Sequence, residues 1–255
     1  MSTAKIMLAA ESVSVEFDDE MALYDVSITI PPNTITALIG PGGSGKTTFL
    51  RLFNRMGEDS EGYWVRGKIV VDGRDIHEKG YRAEDLRRTV GMLFEKPPVF
   101  RTSVFENVAF GLRLRPDRPT GSELEARVEK ALREAWLWED VQDDLRKPAK
   151  KLTVAQQQQL CVARALALEP KVLLFDVPTH ELDPVSTAHI EDLIFSLKEK
   201  HTIVFSTPNL LQASRLSDIT AFFFRGELVE WADTNEMFTN PQVGLTQKYI
   251  TGRFA

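Results

Sequence analysis

The residues best suited to chemistry form one short glycine-rich segment. It consists of Gly40, Pro41, Gly42, Gly43, Ser44, Gly45, Lys46, Thr47 and Thr48. The spacing matches G-x-x-x-x-G-K-[ST], a P-loop pattern in which glycines let backbone N–H groups curl around phosphate oxygens. Lys46 would bring a positive charge to the β- and γ-phosphates, and the Thr47 hydroxyl would be a ligand of Mg²⁺. The segment therefore predicts a site for a nucleoside polyphosphate.

A P-loop site also needs an acidic residue for magnesium, and Asp176 is the candidate. It ends the sequence Val-Leu-Leu-Phe-Asp at 172–176, an apolar strand pattern that stops at a carboxylate. An aspartate after a buried strand is often only a turn residue. Combined with the P-loop, however, the pattern predicts a second magnesium ligand.

Both motifs depend on strands that carry them to one edge of a sheet. A β-rich run at 34–39 leads into the P-loop, and a helical pattern at 48–55 follows it. Further on, strand patterns at 172–175, 202–205 and 219–224 alternate with helical patterns. Such alternation predicts an α/β fold with a mostly parallel sheet.

The N-terminal and middle parts differ from this α/β pattern. Alternating segments at 12–17 and 26–30 and a run ending at Asp72-Gly73 predict an antiparallel β region. Apolar residues at helical spacing within 122–136 predict an amphipathic helix.

These patterns place a helical subdomain in the middle of the chain. We expect it at 97–160, inserted into an α/β core formed by 1–96 and 161–255. The whole chain, 1–255, is then a single domain, which suits its length.

Composition excludes several classes of protein. The 255 residues carry a formal net charge of −6, which disfavours nucleic acid as a partner. No apolar stretch approaches the roughly 18 residues that a membrane-spanning helix needs. The single cysteine, Cys161, cannot form an internal disulfide and fits a reducing cytosol.

Together with the segment Glu181-Leu182-Asp183-Pro184, these motifs resemble the ATP-binding subunits of ABC transporters. Shorter phrases at 53–56, 96–97 and 161–166 resemble the phosphate-importing members in particular. The resemblance implies a P-loop NTPase fold, ATP and Mg²⁺ as ligands, and an ATP-sandwich dimer, either a homodimer or a heterodimer with another ATP-binding subunit. It also implies integral-membrane permease subunits as partners, and a location at the inner face of the cell membrane.

Two further expectations follow from the resemblance. Phe17 lies where the family places an aromatic ring that stacks on adenine, although a core aromatic at a strand end is an equally good interpretation. The family's signature loop reads Leu-Ser-Gly-Gly-Gln, and residues 152–156 here read Leu-Thr-Val-Ala-Gln. The resemblance therefore implies that Thr153 and Gln156, which keep the polar character of the signature loop, contact the nucleotide. Val154 should obstruct close backbone approach to a partner's γ-phosphate, because it is β-branched where the family has glycine.

Three more positions depart from the family pattern. Val177 replaces the glutamate that polarises the attacking water, and Pro208 replaces the histidine that contacts the γ-phosphate. Glu95 replaces a glutamine; its carboxylate could still bind Mg²⁺, but it adds negative charge beside a polyphosphate. No usual catalytic residue is then intact. We therefore expect ATP binding with impaired hydrolysis.

Alternatives to this interpretation stay open. His180 or Glu181 lies close enough in sequence to Val177 to substitute for the missing base. A second alternative to the importer subunit is a non-transport regulatory protein that senses ATP by dimerising. A P-loop kinase or GTPase is disfavoured, because neither an acceptor-substrate site nor a guanine-reading motif is recognisable.

Overall fold

The computed structural model describes residues 6–253, and residues 1–5 and 254–255 of the predicted domain lie outside that range. The strands, in chain order, are β1 (Leu8–Phe17), β2 (Glu20–Ile30), β3 (Ile35–Ile39), β4 (Tyr63–Val71), β5 (Arg74–Asp75), β6 (Val90–Leu93), β7 (Val172–Asp176), β8 (Thr202–Ser206), β9 (Ile219–Phe224) and β10 (Glu227–Asp233). The helices are α1 (Lys46–Leu52), α2 (Ala83–Thr89), α3 (Val104–Arg113), α4 (Gly121–Glu134), α5 (Trp138–Val141), α6 (Val154–Leu166), α7 (Pro184–Leu197), α8 (Leu210–Leu216), α9 (Thr234–Thr239) and α10 (Gly244–Ile250).

Two sheets organise the fold. The first is antiparallel, with strand order β2-β1-β4-β5. The second has the order β10-β9-β3-β8-β7-β6; its strands are parallel except for β10, which runs antiparallel at the edge. The predicted α/β fold with a mostly parallel sheet and an N-terminal antiparallel region is confirmed.

The central strands are buried along their whole length. Every residue of β3, β7 and β8 is buried, as expected for a parallel sheet covered on both faces. Successive residues of β7 alternate between two cores: Leu173 and Phe175 face one hydrophobic cluster, and Val172 and Leu174 face the other. Because both faces of β7 are packed, its last residue is held firmly at the carboxyl edge of the sheet.

The helices of the middle segment pack on one another and on one face of the parallel sheet. Val108 of α3, Val128 and Leu132 of α4 and Val162 of α6 belong to a single buried cluster. Helix α6 continues past residue 160 to Leu166 and so extends beyond the predicted boundary of the helical subdomain. The division into a subdomain and a core stays a prediction.

Element boundaries differ modestly from the sequence prediction. The first helix begins at Lys46 rather than residue 48, because two P-loop residues already adopt helical conformation. The amphipathic helix predicted over 122–136 spans Gly121–Glu134. Within residues 6–253, no helix is both long and apolar enough to cross a bilayer.

Candidate nucleotide-binding site

The P-loop connects β3 to α1, and two of its glycines are sterically required. Gly40 has φ 142°, and a Cβ placed there would lie 2.1 Å from the Phe223 carbonyl oxygen. Gly45 has φ 97°, and its Cβ would lie 2.7 Å from Leu23 Cδ2. Both conformations are ones that side-chain-bearing residues rarely adopt. The loop therefore holds its curved backbone because neighbouring strands pack directly against it.

Lys46 lies across this curve. Its Nζ donates to the carbonyl oxygens of Gly40 and Pro41, each at 2.8 Å, and to Ser44 Oγ at 3.0 Å. Burial lowers the pKa of Lys46, and the negative charge of Asp176 partly opposes this effect. The ammonium group is thus held over the loop by weak neutral acceptors, which phosphate oxygens can replace with stronger charge-assisted bonds.

Asp176 and Thr47 form the second part of the site. Thr47 Oγ1 donates to Asp176 Oδ1 at 3.0 Å, and Ser206 Oγ donates to the same oxygen at 2.7 Å. Asp176 is only 6% exposed. Hydroxyl and carboxylate oxygens are the ligands that Mg²⁺ prefers, and it usually keeps several waters, so this pair suits magnesium.

Ser206 is a site residue that the sequence analysis missed. It lies directly opposite Asp176 in the register of β7 and β8. Its hydroxyl also accepts a hydrogen bond from the Val177 N–H at 3.0 Å. A serine directly after the strand pattern at 202–205 was the only signal in the sequence, because local patterns do not show that β7 and β8 are neighbours.

A cavity of about 600 Å³ opens above the P-loop. The P-loop residues at 40 and 42–48 form its floor. The remaining lining residues come from distant parts of the chain, namely Met21, Ala22, Glu95, Val177, His180, Ser206, Pro208, Arg225 and Gly226. The structure therefore brings the P-loop together with three of the positions that depart from the family pattern: Glu95, Val177 and Pro208.

Val177 has an unusual backbone conformation. Its φ is 46°, in the left-handed region, which is unfavourable for a β-branched residue. Its side chain is apolar and cannot accept a proton, and Pro208, which also lines the cavity, has no N–H to donate. This part of the cavity wall thus lacks a general base from either residue.

Phe17 lies beside the P-loop rather than in this cavity. Its ring packs on Tyr63, with centroids 5.4 Å apart, and burial raises the pKa of Tyr63 to about 12. Phe17 and Thr48 line a small neighbouring pocket, and Thr48 also lines the main cavity. Thr48 thus connects the two pockets, and the adenine-stacking role of Phe17 stays a prediction.

Thr153 and Gln156 lie away from the chain's own cavity, at the start of α6. Thr153 Oγ1 accepts from the Gln156 N–H at 3.2 Å, and Gln156 Oε1 accepts from the Thr153 N–H at 3.1 Å. The Gln156 amide also donates to Asp140 at 3.0 Å. This capping box fixes the start of the helix. Because Thr153 and Gln156 do not line the cavity of their own chain, they could contact only a nucleotide bound to a second subunit, and this contact stays a prediction.

Comparison with known proteins identifies the family. The sequence model described as "ABC transporter" matches residues 23–180. The phosphate import ATP-binding protein PstB 2 of Listeria monocytogenes serotype 4b is 49% identical over 97% of this chain and 91% of its own length. The chain belongs to the ABC transporter family. Another relative in this family, the phosphate import ATP-binding protein PstB of Cytophaga hutchinsonii, is 49% identical over 97% of this chain and 99% of its own.

Solved structures in the ABC family share this architecture. CbiO1 from Clostridium perfringens, part of the ABC transporter complex cbiONQ, superimposes with a TM-score of 0.81 at 25% sequence identity. The match covers 98% of this chain and 97% of that one. The likeness extends over the whole domain, including the antiparallel sheet and the helical segment.

Proposed function

We propose that this chain is the ATP-binding subunit of an importer for inorganic phosphate. The observation that carries the proposal is the placement of Lys46 and Thr47 on the floor of one cavity, with the Thr47 hydroxyl hydrogen-bonded to Asp176. Bound Mg²⁺ would neutralise and orient the β- and γ-phosphates. Thr47 and Asp176 would hold the ion, and Lys46 would exchange its loop carbonyls for phosphate oxygens.

The transported substrate is inferred from the relatives rather than from this site. The two relatives at 49% identity are both named as phosphate import proteins. An ATP-binding subunit of this kind would work as a dimer, bound to permease subunits at the inner face of the membrane. The capped start of α6 supports this arrangement, because Thr153 and Gln156 lie outside the chain's own cavity and could complete a partner's site.

Slow hydrolysis is part of the proposal. Val177 cannot act as a base, Pro208 cannot donate a hydrogen bond, and the half-exposed Val154 stands at the start of α6 where the family has glycine. Loss of a general base typically costs about 10²–10⁴-fold in rate. ATP binding would then drive or regulate the permease mainly through occupancy of the site.

The replacement of the family's usual residues at Val177, Pro208 and Val154 also favours a second candidate, a non-transport protein that senses ATP by dimerising. Co-purification separates the two functions. An importer subunit would be recovered with membrane permease subunits, whereas a free sensor would be recovered without them.

Calorimetry of the full chain with Mg-ATP tests the nucleotide site. We expect binding by the wild type and a strong loss in Lys46→Ala, because the phosphate charge loses its partner. Lys68→Ala is the matched control: Lys68 is half-exposed and its ion pair with Glu11 lies outside the cavity. Equal affinity in the wild type and Lys46→Ala would contradict the proposal.

A further inference from the structure

Arg225 lies in the hairpin turn that joins β9 to β10, and it lines the nucleotide cavity beside the P-loop. Strand β9 is a parallel neighbour of β3, so its carboxyl end lies at the same edge of the sheet as the start of the P-loop. Strand β8 lies on the other side of β3, with β7 and Asp176 beyond it. Arg225 therefore approaches the P-loop from the flank opposite Asp176.

The turn is attached to its neighbours through Gly226. The Gly226 N–H donates to the Ser44 carbonyl oxygen at 3.3 Å, and the Gly226 carbonyl oxygen accepts from the Tyr24 N–H at 2.9 Å. A Cβ at Gly226 would lie 2.9 Å from the Ala22 carbonyl oxygen, so the turn approaches β2 closely. Because Ser44 belongs to the P-loop, these contacts fix the backbone next to Arg225 relative to the phosphate-binding loop.

Arginine is an unfavourable residue for this turn. Phe224 and Glu227 pair across the hairpin, which leaves Arg225 and Gly226 as its two connecting residues. Both have positive φ, 51° for Arg225 and 83° for Gly226. Two-residue hairpins of this kind usually take Asn-Gly or Asp-Gly, because asparagine and aspartate tolerate the left-handed region better than other side chains. Residues held in such conformations cluster at ligand-binding sites, which points to a role for the arginine side chain.

The guanidinium group of Arg225 is available to an anionic ligand. Its Cζ lies 5.1 Å from the centroid of the Phe224 ring, and the residue is exposed. Within residues 6–253, no carboxylate or other acceptor forms an ion pair or hydrogen bond with this group. A guanidinium has five N–H donors and matches phosphate in bidentate geometry. Its chemistry and its place on the cavity wall therefore suit the oxygens of a bound polyphosphate.

We propose that Arg225 is a further nucleotide-binding residue, which donates to phosphate oxygens of the nucleoside polyphosphate in this cavity. The inference rests on the proposed function, since it concerns the same site. Lys46 brings one positive charge to the floor of the cavity, whereas the Glu95 carboxylate on its wall opposes an anion. Pro208, which also lines the cavity, has no N–H to donate. A second cation from the β9–β10 turn offsets both disadvantages.

Arg225→Asn separates nucleotide binding from folding. Asparagine suits the left-handed turn, so the melting temperature of this variant should equal or exceed that of the wild type. The variant lacks the cation, so its Mg-ATP affinity should fall about fivefold at low salt, as expected for an exposed charge. The loss should be smaller at high salt, where mobile ions screen exposed charges.

A second pair of variants isolates the charge. Lysine and glutamine at position 225 carry the same unfavourable backbone conformation as arginine, but only lysine keeps the positive charge. Arg225→Lys should bind Mg-ATP more tightly than Arg225→Gln and less tightly than the wild type, because an ammonium group lacks the bidentate geometry. Equal affinity of these two variants would overturn the inference, whatever the stability of Arg225→Asn.

The measurement is calorimetry of the full chain with Mg-ATP at low and high salt, with a melting temperature for each variant. Arg118→Asn is the matched control, because Arg118 is exposed, does not line the cavity and makes no hydrogen bond or ion pair within residues 6–253. A salt-dependent loss confined to the variants of Arg225 supports the inference. If the wild type binds Mg-ATP and Arg225→Asn binds it equally well, the inference is overturned while the proposed function stands. Wild-type protein that binds no Mg-ATP would overturn both.

Discussion

Ser206 and Asp176 end two neighbouring parallel strands in register, and the serine hydroxyl donates to the aspartate carboxylate at 2.7 Å. The same hydroxyl accepts the Val177 N–H, so one side chain connects the magnesium ligand to the residue after it. Ser206 is itself only 1% exposed. The orientation of Asp176 therefore depends on a residue two positions before Pro208.

Ser206→Ala should lower both stability and magnesium-dependent nucleotide binding. The change leaves the partly buried Val177 N–H without its acceptor and removes one of two donors to Asp176, at a cost of about 1–3 kcal/mol of unfolding free energy. Chemical denaturation and Mg-ATP titration measure the two effects. Ser196→Ala is the control, since that exposed hydroxyl donates only within α7, to Leu193 O. Equal stability of the two variants would show that the Ser206 bonds are unimportant.

Gly45→Ala should abolish nucleotide binding, whereas Gly42→Ala should be tolerated. A Cβ at Gly45 meets Leu23 and the Ala22 carbonyl oxygen in a left-handed conformation, but nothing lies within 4 Å of a Cβ at Gly42. Backbone strain of this kind costs about 1–3 kcal/mol and would displace the N-terminus of α1. Calorimetry of both variants checks the difference; a Gly45→Ala protein with normal affinity would refute the steric argument.

Restoring the family residues should recover hydrolysis only as a set. Val177→Glu alone should recover little, since Pro208 and the signature positions still differ. Combining it with Pro208→His and with serine, glycine and glycine at 153–155 should raise the steady-state rate far more, because residues that act as a unit are non-additive. The assay is ATP turnover with and without permease. Wild-type turnover of about 1 per second or faster would contradict impaired hydrolysis.

The stability of the nucleotide-free protein should rise with pH in the alkaline range, because the charged form of Lys46 is partly buried. Burial lowers the folded-state pKa of Lys46 below 10.5, so the unfolded chain binds more protons between the two values. The destabilisation by a buried charge is fully present below the folded pKa and is relieved as the pH rises through it. Lys46→Met should therefore gain most over wild type at pH 7 and less at pH 10. Parallel denaturation curves at the two pH values test this expectation.

The amino-acid sequence by itself determined the P-loop, the strand that ends at Asp176, and the α/β class. These features are local, because each can be recognised within a short stretch of sequence. They are a contiguous glycine pattern, an apolar run of strand length, and apolar residues at helical spacing. The family departures at Val177 and Pro208 were visible for the same reason, and both residues do line the cavity.

The tertiary structure alone decided which strands are neighbours, and with that the partners of each site residue. Local patterns do not encode that β8 lies between β3 and β7, yet this order places Ser206 against Asp176. The meeting of Glu95 with His180 likewise depends on the pairing of β6 with β7. Such contacts between residues distant in sequence are set by the packing of both sheet faces and by the crossover connections, which no short segment specifies.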